Sequence, residues 1–63
     1  MKEKAFKGVI VSWVLEADHI IGMTPARVSL DWTQIRTSRV ERITRDHRGY
    51  LWAETQNSLY ILL

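Results

Sequence analysis

The chain has 63 residues, 46% hydrophobic and 25% charged, with nine Lys and Arg against seven Asp and Glu for a formal net charge of +2. It contains no cysteine, which excludes disulfides, thiolate zinc sites, cysteine nucleophiles and iron–sulfur clusters. No apolar stretch approaches the roughly 20 residues of a spanning helix, and so short a chain is expected to be one domain with a marginal core.

Lys2, Lys4 and Lys7 ahead of the apolar stretch from Gly8 to Leu15 imitate a secretory leader. Glu3 interrupts the positive region and Leu15-Glu16-Ala17 is a poor cleavage site, so a cytoplasmic protein is expected. The first element runs from Phe6 to Glu16. Helical spacing through Phe6, Val9, Ile10, Trp13, Val14 and Ala17 competes there with strand alternation. Gly8 inside the segment, Val11 and Leu15 on the would-be polar face, and the β-branched and aromatic run favour a strand. Its apolar side would then hold Val9, Val11, Trp13 and Leu15, and apolar residues on the other side too suggest a central strand or an interface.

Ala17-Asp18-His19 reads as a tight turn, followed by a short return strand at Ile20 and Ile21 that Gly22 ends. Thr24-Pro25 is a break, and Arg27 to Leu30 alternates as a short strand. Asp31-Trp32-Thr33-Gln34 has the shape of a capping box and predicts at most one helical turn near 31–36. A longer helix would place Arg36 and Arg39 within the apolar arc of Trp32, Ile35 and Ile43. From Val40 onward the pattern is a three-stranded meander: Val40 to Arg45, a turn through Asp46 to Gly49, Tyr50 to Thr55, a turn at Asn57-Ser58, then Leu59 to Leu62. The expected register sets Thr55 opposite Tyr60 and Ala53 opposite Leu62 on one side, with Trp52, Glu54, Ile61 and Leu63 on the other.

These elements predict a mainly all-β fold: a small, strongly bent antiparallel sheet or an SH3-like barrel. Arg36-Thr37-Ser38-Arg39-Val40 together with Thr55-Gln56-Asn57-Ser58-Leu59-Tyr60 resembles the closing hairpin of small, largely uncharacterised bacterial and bacteriophage proteins. The resemblance covers under half of the chain. It implies a small β fold and a microbial or phage source, and no activity.

Chemistry-bearing patterns are sparse. His19 and His47 each follow an aspartate at a predicted turn, where Asp bonds its own backbone beside a solvated His, so no metal is expected. No serine sits in a glycine-flanked elbow, no glycine-rich phosphate loop exists, and Glu16 and Asp18 read as solvated residues beside a turn. Neither an enzyme nor a cofactor is expected. The patterned feature is the series Arg36, Arg39, Arg42, Arg45, Arg48. In a strand this spacing alternates faces unless a bulge intervenes. Such guanidinium groups suit bidentate recognition of phosphate or carboxylate, and equally serve as a solvated edge that blocks strand pairing.

Tyr50 and Trp52 follow on one face, suited to base stacking or to a protein hot spot. The expected partner site is therefore Arg36, Arg39, Arg42, Arg45, Arg48, Tyr50 and Trp52, and the expected partner nucleic acid or its handling machinery. The alternative is a phage- or mobile-element-type regulator or inhibitor that docks on a host protein. The marginal core and surplus apolar residues predict a homo-oligomer, a dimer first, through Val9, Val11, Trp13, Leu15, Ile61 and Leu63.

Overall fold

The computed structural model describes residues 4–25 and 31–63, all in strands or short connections, with no helix among them. Six strands follow in chain order: β1 (Ala5–Glu16), β2 (His19–Pro25), β3 (Trp32–Arg36), β4 (Val40–Arg45), β5 (Leu51–Thr55) and β6 (Ser58–Leu62). They form one open sheet in the order β3-β2-β1-β6-β5-β4. The two most apolar strands, β1 and β6, lie at its centre, where both faces need apolar residues. They run parallel, with Val9 opposite Ile61 and Ile10 opposite Leu62, and every other pairing is antiparallel. The expected all-antiparallel sheet is corrected at that one pair.

β1 is long because it serves two neighbours. Its first half pairs with β6 and its second half with β2, and the register shifts once in each half, near Gly8 and near Ser12. Both residues have positive φ, +131° and +51°, the local geometry of bulges that bend and twist a strand. The second bulge decides sidedness. Val11 pairs with Met23 and Val14 with Ile21, so Val14 takes the side of Val11 while Trp13 crosses to the other. The continuous face of Val9, Val11, Trp13 and Leu15 is therefore broken: Trp13 packs against the core and Leu15, 52% exposed, lies opposite buried Ile20.

The inner side of the sheet holds a core of Ile10, Ile20, Ala53, Tyr60 and Leu62, flanked by Trp13, Ile35, Val40 and Leu51. β2 does not stop at Gly22. The strand continues to Pro25, and Gly22 is buried under the β1 bulge, where an added Cβ would meet Ile10 Cγ2, Val11 O at 2.9 Å and Trp13 Cβ at 3.0 Å. Residues 32–36 are also strand rather than a helical turn. Pairing of Met23 with Gln34 and Gly22 with Ile35 satisfies their backbone and turns Ile35 onto the core, so tertiary pairing outweighs the local capping signal. The expected strand at Arg27 to Leu30 lies outside the described residues.

In the last hairpin the loop is Gln56-Asn57, so Ala53 faces Tyr60 and Leu51 faces Leu62. The slip from the expected register is two residues, which preserves each side chain's face. Buried Thr55 closes this turn: its Oγ1 accepts from Ser58 N at 3.0 Å and donates to Ser58 O at 3.1 Å.

Segment 37–39 joins the two edge strands and pulls one corner of the sheet together. Thr37 N donates to Ile20 O, Val40 N to Asp18 O and Gln56 N to Arg39 O, at 2.9, 2.6 and 2.8 Å. Buried Thr37 adds a hydroxyl that accepts from Ile20 N at 3.0 Å and donates to Ser38 O at 2.8 Å. No ladder joins β3 to β4, so the sheet is bent and open rather than closed into a barrel.

Candidate functional site

The arginine series does not occupy one edge. Arg36 lies at the end of β3 opposite Ile21, while Arg39 sits in the connecting segment. Arg42 and Arg45 are on β4, the other edge strand, and Arg48 is in the β4–β5 turn. A register shift between Val40 and Arg42 resets the alternation, placing Arg42 opposite Glu54 and Arg45 opposite Leu51. Four guanidinium groups, from Arg39 to Arg48, follow β4 and its flanking segments, with Arg42 on the outer side of the sheet beside Glu54 and Arg45 on the inner side beside Leu51. Arg36 ends β3, which is not paired with β4 and lies at the other end of the strand order.

Their partners differ. Arg39 Nε lies 3.5 Å from Asp18 Oδ2, an ion pair well exposed on both sides and therefore of little energetic weight. Arg45 Nη1 donates to Gly49 O across the turn. Arg36, Arg42 and Arg48 form no ion pair within 4 Å among the described residues. The acidic groups nearby are engaged elsewhere. Lys4 Nζ bonds both Glu41 and Glu54, which raises the lysine's pKa and holds the Glu54 carboxyl below its usual range.

Asp46 organises the turn. Its Oδ1 accepts from Arg48 N at 2.9 Å and Tyr50 N at 3.0 Å, and its Oδ2 from Trp52 Nε1 at 2.8 Å. The indole bond, then the two backbone bonds, depress its pKa. Asp46 N donates to Tyr50 O and Gly49 N to Asp46 O, with Gly49 at φ +91°, the conformation that selects glycine. This turn presents His47, Arg48 and the 47% exposed Tyr50 to solvent. Trp52 is not free beside them. It is half-buried, tied to Asp46 by its indole N–H, with its ring 5.7 Å from that of Phe6.

A shallow groove of about 500 Å³ runs beside β4, lined by Arg39, Val40, Glu41, Arg42, Glu54 and Gln56. It mixes both signs of charge and holds no nucleophile–base pair. His19 Nδ1 bonds Thr37 O at 2.9 Å and His47 lies exposed in a different turn; among the described residues no three His, Asp or Glu side chains converge on a common point. Of the expected interface residues, Val9, Val11 and Ile61 share the outer side of the sheet, and Leu63 follows Ile61 at 65% exposure. Sequence reasoning missed Phe6, Leu59 and Met23 on that side. Their signal is strand parity counted through β1 and β6, visible only once the parallel pairing is known. Asp46 bonds the backbone of its own turn as expected, through Arg48 N and Tyr50 N, and its further bond to the Trp52 indole is the part the sequence did not signal.

Compared with known proteins, the chain matches no family model, no curated protein and no solved structure.

Proposed function

We propose that the chain is a non-enzymatic interaction module that binds an acidic macromolecule, nucleic acid first, along β4 and the β4–β5 turn. The observation that supports this most is the placement of Arg42, Arg45 and Arg48 in sequence along one exposed edge while Lys4 holds Glu41 and the turn occupies Asp46. Guanidinium groups on an exposed edge are available to phosphate oxygens, and Tyr50 beside Arg48 offers a ring face to a base. The partner surface is accordingly narrower than the sequence implied: Arg42, Arg45, Arg48 and Tyr50, with Arg39 at its margin.

The test is fluorescence anisotropy with a labelled single-stranded oligonucleotide. Three phosphate contacts give a slope of log affinity on log salt near −2, so raising salt from about 50 to 200 mM weakens binding roughly 20-fold. Replacing Arg42, Arg45 and Arg48 by Ala flattens that slope. Binding indifferent to salt, or a triple variant with an unchanged slope, overturns the reading. The alternative, a small regulator that docks on a host protein, draws on the mixed-charge groove beside Arg42, whose Glu41 and Glu54 suit a protein surface better than a polyphosphate.

A further inference from the structure

The outer side of the sheet is apolar, and among the described residues nothing packs over it. By register, Phe6 and Leu59, Val9 and Ile61, and Val11 and Met23 lie as neighbours on this side, and Trp52 opposite Ile61 extends it onto β5. Phe6 is 53% exposed and the others are half-buried, while the fully buried core lies on the inner side alone. The principal contacts between elements join only strands that are neighbours in the sheet, so among the described residues no second layer covers it.

We propose that this outer face pairs with the same face of a second copy of the chain, giving a two-fold symmetric dimer. Three observations choose that occupant. First, the chain exposes 4939 Å², roughly 700 Å² more than the ~4,200 Å² that surface scaling gives a compact monomer of its mass. That excess, spread over the whole open sheet, is of the order of the ~800 Å² each partner contributes to a standard stable interface. Second, the radius of gyration is 11.5 Å, above the ~10.6 Å of a compact 63-residue domain, as an open, one-sided sheet requires. Third, the face is nearly neutral. Lys4, Glu41, Glu54 and Arg42 lie together at one margin, and Arg36 and Glu16 at the other, so the charges balance and none sits among Phe6, Val9, Val11, Leu59 and Ile61. A face meeting its own copy must avoid uncompensated like charge at its centre, whereas a charged partner would have selected the opposite. The proposal uses the outer face of the central strands and meets the arginine-bearing edge only at Arg42, beside Glu54.

The experiment is sedimentation equilibrium of the full chain in about 0.5 M salt without nucleic acid, conditions that screen phosphate-type contacts and spare apolar ones. The expected mass is twice 7.4 kDa, and the melting temperature rises with protein concentration. Phe6→Lys and Ile61→Lys each weaken the dimer about tenfold or more, the effect of losing one interface anchor. Leu15→Lys, equally exposed but on the other side of the sheet, leaves it unchanged. Phe6 and Leu15 are both more than half exposed, so Phe6→Lys and Leu15→Lys retain the fold; Ile61 is half-buried on central β6, so circular dichroism checks each variant and Phe6→Lys carries the test where Ile61→Lys unfolds. A monomer at about 200 μM with a concentration-independent melt overturns the proposal, as does a dimer that survives both Phe6→Lys and Ile61→Lys.

Discussion

Replacing Gly22 by Ala separates two reasons a glycine can be required. Gly22 has an ordinary φ, so the substitution strains no backbone angle. Its new methyl group would fall against Ile10 Cγ2, 2.9 Å from Val11 O and 3.0 Å from Trp13 Cβ. Two of these neighbours cannot rotate away, one being backbone and the other the first atom of its side chain, so the β1 bulge itself must move. Overpacking of this kind costs about 3 kcal/mol, the upper end of its usual range. A 63-residue domain has only roughly 3–9 kcal/mol in total, and at this size each kcal/mol moves the midpoint by about 8 °C. Thermal unfolding followed by circular dichroism is therefore expected to show a fall of roughly 20 °C, or no cooperative transition. Gly49→Ala is the control: its φ is +91° with nothing within 4 Å, so it costs only conformational strain, about 1–2 kcal/mol. A Gly22→Ala midpoint within about 5 °C of the parent, or a smaller loss than Gly49→Ala, refutes the steric account.

Thr37→Val keeps the shape but leaves the Ile20 N–H without its acceptor, and is expected to cost about 1–3 kcal/mol in chemical denaturation; an unchanged midpoint argues against the corner bond. Ala17 holds φ +53° at the β1–β2 turn, so Ala17→Gly is expected to stabilise by a few tenths to about 1 kcal/mol, strain relief outweighing the flexibility gained in the unfolded chain. Asp46 and Glu54 both have lowered pKa values, from the Trp52 indole bond and the Lys4 bond first. Groups depressed in the folded state contribute stability above the unfolded carboxylate range, about 4, and lose it as pH falls through their folded values. Melting temperature should thus decline on acidification below that range, less steeply in Asp46→Ala; a parallel acid limb removes Asp46 from the account. Lys4 works in the reverse sense, its raised pKa giving stability that is full below the unfolded lysine value and lost as pH rises through the folded one.

The amino-acid sequence by itself determined the class of fold. Alternation and β-branched content identified β1, β4, β5 and β6 nearly at their observed limits, because those properties act within a strand and its turns. Even the two-residue slip in the last hairpin left each side chain on its expected face, since sidedness has a period of two. The extent of β2, the strand at residues 32–36 and the role of Gly22 were decided by tertiary structure, because each depends on a strand distant in the chain that supplies hydrogen bonds or takes up space. The same holds for the candidate sites. A regular three-residue spacing says where arginines lie along the chain, but the pairing of β3 and β4 with different strands decides which of them share an edge, and the β4 bulge decides which side of it each takes. The bulge at Ser12, a single inserted residue, moves Trp13 into the core and leaves Val9 and Val11 outside; parity read along a strand ends at any bulge, and only the pairing of β1 with both β6 and β2 reveals one.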